Sequence, residues 1–245
     1  RQESIAYLVE KTRLAADLRE GLRGVHDLDR ALARLALGRG GPRDMTAIRN
    51  TIAQAETLLR VVPEALPREL LAAKAALAGH SELLTLLDEA LVAEPPLLAR
   101  DGGFIAPQFD DALDEARKLR DEGRSVVAAM QAEFIELSGI SALKIKHNNV
   151  LGYFIETTAT HAEKMLAAPL NETFIHRQTT ANQVRFTTVE LSEIETRILN
   201  AGGRALELEK QIYESLTRAI IENAGPIGAL ARALAEFDVA TGLAH

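Results

Sequence analysis

Residues 143–155 read LKIKHNNVLGYFI, and this stretch decides the kind of structure that surrounds it. Apolar and polar side chains alternate up to Asn148, and a period of two residues is typical of a β-strand with one buried face. The asparagine and glycine in residues 149–152 favour a tight turn, because both accept backbone angles that other residues avoid. Apolar and aromatic residues resume at Tyr153. The stretch therefore predicts two antiparallel strands joined by a turn.

A second pair of strands is predicted farther along the chain. Residues 173–178 and 183–188 are rich in β-branched and aromatic side chains, and residues 179–182 between them favour a turn. Thr187 and Thr188 precede an apolar periodic segment, where a threonine oxygen can cap the first turn of a helix. The two hairpins together predict a small antiparallel β module, and we expect both of their turns to lie at its tip.

Long helices are predicted on both sides of the β module, from a spacing of alternately four and three residues that is typical of paired helices. The first segment has this spacing at Phe109, Leu113, Ala116, Arg120, Gly123, Val127, Met130, Phe134 and Leu137. The second has it at Leu191, Ile194, Ile198, Ala201, Ala205, Leu208, Ile212 and Leu216. We expect each helix to exceed about 30 residues and to span roughly 45–55 Å. Arg120 and Gly123 are expected to face Gly202 and Gly203 and to weaken the contact locally.

The rest of the chain favours shorter helices. In residues 1–100, leucine and alanine recur at helical spacing and are interrupted by glycine and proline. The predicted fold is mainly α with a small antiparallel β module: a helical core and two long antiparallel helices that carry the module at their tip. The predicted divisions are residues 1–106 for the helical core, 107–138 for the outgoing helix, 139–188 for the β-rich module, 189–223 for the returning helix and 224–245 for the return to the core.

Charge and composition limit the possible functions. The net charge of the 245-residue chain is −7, which argues against a globally basic nucleic-acid-binding protein. Residues 141–188 differ, because they hold five Lys or Arg against three acids. Cysteine is absent, which removes disulfides and thiolate metal sites. No apolar run approaches the roughly 18 residues of a membrane span, so we expect no membrane partner.

Six short motifs occur in order along the chain. They are DLDR, ARLALG and PRD within residues 27–44; DGGFI at 101–105; the strand pair with Lys144, Asn148, Gly152 and Tyr153; RQT, RF and EL within 177–191; ALELE with Tyr213; and AEFDV at 235–239. Together they resemble the core, lever and clamp of the MutS family of DNA mismatch-repair proteins. Three positions depart from the family pattern. His26 and Gln108 stand where glycine is common, and Val184 replaces an acid.

The resemblance implies a piece of a longer protein, without the family's mismatch-reading and ATPase domains. The two long helices correspond to the lever and the β module to the clamp, which holds duplex DNA without reading its sequence. No G-x-x-x-x-G-K-[ST] motif occurs in the chain, so we expect no enzyme activity and no cofactor here. ATP and Mg would belong to the ATPase domain of the family. The implied partners are double-stranded DNA (mismatch-containing for the whole protein), a second MutS subunit and MutL, in the bacterial cytoplasm at the nucleoid.

The candidate DNA-binding residues lie in and beside the two predicted turns, where side-chain donors can face phosphates. They are Lys146, His147, Asn148 and Asn149 near the first turn, and Arg177, Gln178, Thr179, Asn182 and Arg185 near the second. The resemblance points most specifically to Asn148 and Asn182. Without it, asparagine in a turn more often serves backbone geometry than a ligand, and a salt bridge between Arg177 and Glu190 would be an ordinary structural contact.

Two other functions stay open. The chain can be a helical scaffold that binds proteins through its long helices, without direct DNA contact. It can also be a hydrolase that uses His161 or His176 with a nearby carboxylate, although no nucleophile motif supports catalytic residues. The spacing of His147, His161 and His176 fits no recognised set of metal ligands, so no metal site is expected.

Overall fold

The computed structural model describes residues 2–244, and these form two compact units. Unit 1 comprises residues 2–109 and 209–244, and unit 2 comprises residues 110–208. The predicted fold class is confirmed: the chain is mainly helical with one small antiparallel sheet. The five-part division by residue number stays a prediction.

Unit 1 is helical, and apolar faces of short helices form its core. Its helices are α1 (Gln2–Glu10), α2 (Thr12–Leu22), α3 (Leu28–Ala36), α4 (Pro42–Val61), α5 (Arg68–Leu77), α6 (Ser81–Ala90), the C-terminal part of α9 (Val189–Glu222) and α10 (Ala224–Leu243). Helix α10 packs against α1, α2, α3 and α5, and Phe237 is fully buried there. The carboxylate of Glu209, buried on α9, accepts hydrogen bonds from the backbone N–H groups of Gly103 and Ile105. These bonds compensate the cost of burying its charge.

Helix starts in unit 1 follow the local sequence. The carboxylate of Asp27 accepts the N–H of Arg30 at 2.9 Å and caps α3. Helix α4 begins at Pro42, whose fixed φ suits a first helical position. Gln108 adopts a positive φ of 70°, a backbone conformation that favours glycine, in keeping with the glycine expected there from the resemblance. His26 has no such backbone requirement.

Unit 2 contains the β module and the helices beside it. Helix α7 (Asp111–Ser138) leads into β1 (Lys144–Asn148), β2 (Gly152–Thr158), α8 (Ala159–Leu166), β3 (Ile175–Thr179) and β4 (Gln183–Thr187), and α9 follows. The strands are antiparallel in the order β1-β2-β4-β3, so both predicted hairpins are confirmed. The Thr188 hydroxyl accepts the N–H of Leu191 at 3.0 Å, as expected for a cap at the start of α9. Helix α8 was not predicted. It buries Ala162 and Met165 at a helical spacing.

The core of unit 2 is shared by the sheet and by the ends of both long helices. Phe134 from α7, Phe174 before β3 and Phe186 from β4 belong to one buried cluster, and the rings of Phe134 and Phe174 meet edge to face at 5.5 Å. Leu191 and Ile198 of α9 belong to the same cluster. The sheet therefore has one face buried against the helices.

The predicted helix pairing needs three corrections. Helix α7 has 28 residues rather than more than 30, because the chain enters a left-handed conformation at Gly139. Leu137 is 54% exposed, since the buried side of α7 continues from Phe134 to Ser138. Gly123 faces Ile198 rather than the paired glycines, although Arg120 does lie against Gly202. From the first of these contacts to the second, the residue number falls on α7 and rises on α9, as it does in an antiparallel pair.

Among the described residues, no single helix has both the length and the apolar composition needed to cross a membrane. The bent pair Arg68–Leu77 and Ser81–Ala90 meets that test only when the two helices are taken together.

The contact at Gly123 predicts opposite effects for the same substitution at two helical glycines. A Cβ added at Gly123 would lie 2.6 Å from Cγ1 of Ile198, whereas a Cβ at Gly203 meets nothing within 4 Å. We expect Gly203→Ala to raise the free energy of unfolding by about 1 kcal/mol, through helix propensity alone. We expect Gly123→Ala to lower the free energy of unfolding below the wild-type value by about 1–3 kcal/mol, because the core must accommodate extra volume. Urea denaturation followed by circular dichroism measures both, and equal effects would contradict the tight contact.

Candidate nucleic-acid interface

The sheet register separates the two predicted turns. The first turn, residues 149–151, immediately precedes Gly152 at the start of β2, while Gln183 beside the second turn pairs with Thr158 at the end of β2. Each turn lies at the start of the second strand of its hairpin, and these two strands are antiparallel neighbours. Their starts must therefore lie at opposite ends. The expectation of a single tip that carries both turns is wrong.

Asn148 shapes the first turn through its side chain. Its Oδ1 accepts the backbone N–H groups of Val150 at 2.9 Å and Leu151 at 2.7 Å. Such a side-chain acceptor substitutes for a backbone carbonyl in a turn. Asn149 is exposed beside it. The structural role that sequence reasoning weighed for Asn148 is therefore present.

The first turn is also attached to α9 by Glu195. Its carboxylate accepts the N–H of Tyr153 at 3.1 Å. Gly152 has a φ of 70°, and a Cβ at this position would overlap the Glu195 carboxylate. Only glycine adopts this backbone angle without strain and also leaves room for the carboxylate. Sequence reasoning missed Glu195, since nothing local shows that α9 passes the turn.

Arg177 belongs to the first turn in space, although it precedes the second turn in sequence. The register between β3 and β4 shifts from His176 to Gln178, which leaves Arg177 as an extra residue in a bulge. Bulges redirect side chains, and the Arg177 guanidinium donates to the carbonyl of Leu151 at 2.9 Å. This contact replaces the suggested pairing with Glu190. His147 lies nearby, edge to face with Tyr153 at 4.8 Å.

Thr180 closes the second turn. Its backbone N–H donates to the carbonyl of Gln183 at 2.8 Å, and its hydroxyl accepts the N–H of Gln183 at 3.3 Å. Thr179 instead contacts Nε2 of His176 at 2.8 Å, and Asn182 is exposed at the tip of the turn. Sequence reasoning did not single out Thr180, although a threonine beside a turn is a known closing residue.

Three of the predicted residues meet on the outer face of the sheet, around a carboxylate that was not predicted. Glu156 is 7% exposed, and its two oxygens accept hydrogen bonds from Lys146 at 2.7 Å and Arg185 at 3.0 Å. Arg185 also donates to Gln178 at 2.8 Å and lies 4.6 Å above the ring of Phe154. The guanidinium therefore covers an aromatic ring on the solvent side of the sheet.

The environment of Glu156 keeps it ionised. Burial alone would raise its pKa, but hydrogen bonds and charge from Lys146 and Arg185 outweigh burial and hold the pKa below its usual value of 4.5. One acid thus compensates part of the positive charge of this face. Lys144, exposed on the same face and opposite Glu156 in the β1–β2 register, adds a further cation. Val184 is buried in the core, where an acidic side chain would be costly.

The histidines considered in the sequence lie in different surroundings. His176 contacts Thr179 and the ring of Phe186, and His161 is exposed on α8. Among residues 2–244, no group of three or more His, Cys, Asp or Glu side chains is arranged to hold a metal ion.

Comparison with protein families matches residues 1–244 to the family model of MutS domain III. The chain belongs to the MutS family. The DNA mismatch repair protein MutS of Paracoccus denitrificans is 62% identical over 244 residues, which is 100% of this chain and 28% of that protein. The MutS proteins of Cereibacter sphaeroides (strain ATCC 17025) and Ruegeria pomeroyi are 64% and 63% identical over 98% and 100% of the chain. The chain thus spans roughly a quarter of the length of these curated relatives, 27–28%.

The geometry of Gly152 predicts a large cost for a single methyl group. We expect Gly152→Ala to lower the free energy of unfolding of the chain by more than the roughly 1–2 kcal/mol of left-handed backbone strain, because the methyl group also displaces Glu195. Gly24→Ala is the matched control, since Gly24 has a φ of 78° but open space around its Cβ position. Urea denaturation should show the larger loss at Gly152. Equal losses would show that the overlap with Glu195 contributes nothing.

The lowered pKa of Glu156 predicts a dependence of stability on pH. A carboxyl group whose pKa falls on folding stabilises the protein above its unfolded-state pKa, and this stabilisation is lost as pH falls through the folded-state pKa. Glu156→Gln should therefore cost about 1–2 kcal/mol at pH 7 and clearly less at pH 3. The control is Glu163→Gln, at an exposed position on α8. A Glu156→Gln cost that is the same at both pH values would contradict this role.

Proposed function

We propose that the β module of unit 2 holds duplex DNA by its backbone, without reading its sequence, as part of a MutS-type mismatch-repair protein. The observation that carries the proposal is the charge of the outer face of the sheet. Lys144, Lys146 and Arg185 there outnumber the single acid Glu156, within a chain of net charge −7. A local excess of cations attracts the regular array of phosphates on a duplex.

The turns supply polar groups that suit phosphate contact. Asn149 and Asn182 are exposed at the two turns, and neither is needed to close its own turn. Asn148 would act indirectly, since it holds the first turn in shape and orients the N–H groups around it. Contacts of this kind position a protein on DNA and carry no base information.

A change in the position of the β module would be transmitted along the long helices. The Glu195 carboxylate attaches the first turn to α9, and α9 is one continuous helix from Val189 to Glu222. In the whole protein we propose that this path connects DNA grip to an ATPase that binds ATP and Mg. Because the two binding equilibria are linked, DNA would change the affinity for nucleotide by the same factor as nucleotide changes the affinity for DNA. A second MutS subunit and MutL would be its protein partners, in the bacterial cytoplasm at the nucleoid.

Salt-dependent binding to a duplex of about 30 base pairs tests the proposal. With roughly two to four phosphate contacts, the logarithm of the association constant should fall against the logarithm of salt concentration with a slope of about −2 to −4. We expect Lys144→Gln to reduce this slope by about one. Asn149→Ala with Asn182→Ala should weaken binding at a nearly unchanged slope. Fluorescence anisotropy at low salt measures all three.

The control removes the same charge elsewhere. Lys11→Gln changes an exposed lysine of unit 1 that lies outside the module. The proposal fails if Lys144→Gln and Lys11→Gln reduce binding equally, or if the wild-type chain does not bind at about 50 mM salt. Lys146 and Arg185 are unsuitable for this test, because replacing either removes one of the two partners of the buried Glu156 and would also change stability.

A further inference from the structure

Val150 has the most exposed large apolar side chain of the residues that the structure describes. It lies in the first turn and is 91% exposed, whereas the next most exposed, Leu37, is 69% exposed. Turns are usually built from Gly, Pro, Asn, Asp and Ser, each of which supplies a suitable backbone angle or a polar group. The branched apolar side chain of Val150 supplies neither. Its presence in the turn is therefore not explained by the fold.

The backbone of the first turn is held on both sides of Val150. Oδ1 of Asn148 accepts the N–H groups of Val150 and Leu151, at 2.9 and 2.7 Å. The carbonyl of Leu151 accepts the guanidinium of Arg177 at 2.9 Å, and the carboxylate of Glu195 holds the start of β2. Val150 is thus presented to solvent on a fixed backbone. Its N–H group is already bonded, so the residue can contact a phosphate neither through its backbone N–H nor through its side chain.

The turn can reach a ligand through two neighbouring side chains, the amide of Asn149 and the isopropyl group of Val150. Both are exposed, while Asn148 and Leu151 on either side are partly buried. Strand β2 is paired with β1 on one side and β4 on the other, so the hairpin cannot enter a DNA groove as a free ribbon. The major groove is about 12 Å wide and suits a helix or a ribbon, whereas the minor groove is about 6 Å wide. Two adjacent side chains suit the narrower groove.

We propose that the first turn enters the minor groove of duplex DNA, where Val150 packs against the deoxyribose walls and Asn149 donates to the base edges. The inference rests on the proposed function, because it takes the β module to hold duplex DNA. Proteins that bind the minor groove combine polar side chains such as asparagine with apolar ones. Val150 brings no charge and no hydrogen bond, so its contribution is the burial of apolar surface.

A contact in the minor groove predicts a dependence on one exocyclic group of the DNA. A·T pairs present only acceptors there, whereas a G·C pair adds the N2 amino group of guanine. That amino group is a donor, so it cannot accept from Asn149, and it also fills space on the groove floor beneath Val150. Inosine lacks the amino group but has the same major-groove edge as guanine. An inosine duplex should therefore bind more tightly than a guanosine duplex with the same number of phosphates.

Fluorescence anisotropy with two duplexes tests the proposal on the full chain. The duplexes share one sequence, with guanosine in the first and inosine in its place in the second. The wild type should bind the inosine duplex about three- to tenfold more tightly. Val150→Ser should weaken binding to the inosine duplex about fivefold and reduce this preference. Its salt slope should stay unchanged, because no charge is removed. Val150→Ile should bind as the wild type does, since it keeps a branched apolar side chain.

The control is Val9→Ser, which makes the same change at an exposed position on α1. It should bind both duplexes as the wild type does. Urea denaturation should show that the Val150 variants are as stable as the wild type, because the fold leaves this side chain in water.

The proposal is wrong if the wild type binds both duplexes equally, or if Val150→Ser binds as tightly as the wild type. In either case a lower salt slope in Lys144→Gln would still support the proposed function. If the wild type binds neither duplex at about 50 mM salt, the proposed function and this inference are both wrong.

Discussion

The sheet of unit 2 can bury only one face, and the arrangement of the module follows from this constraint. Phe186 and Ile155 fill the buried face, against α7 and α9. The outer face must then be polar, yet it also carries Phe154, which is 3% exposed. Arg185 covers that ring and is itself held by Glu156. The charged residues of the outer face therefore stabilise the sheet first, and only the positive charge left over is available for a ligand.

The hairpin order has a second consequence, because the two turns are held by different means. The second turn is closed locally by Thr180, whereas the first depends on Glu195 of α9 and on Arg177 of β3. A shift or rotation of α9 would therefore move the first turn directly. The second turn would move only as far as the whole sheet does. A movement of α9 would thus displace the two turns of the module unequally.

The sequence predicted those parts of the molecule that depend on local pattern. A period of two residues identified β1, apolar, aromatic and β-branched residues beside turns identified the other three strands, and the heptad spacing identified both long helices. The sequence did not predict the positions of turns and side chains that depend on which strands become neighbours. The pairing of β2 with β4 separates the turns, and the bulge at Arg177 sends that side chain to the first turn. Glu156 and Glu195 were missed for the same reason, because Arg185 and Tyr153, to which they bind, are 29 and 42 residues away in sequence.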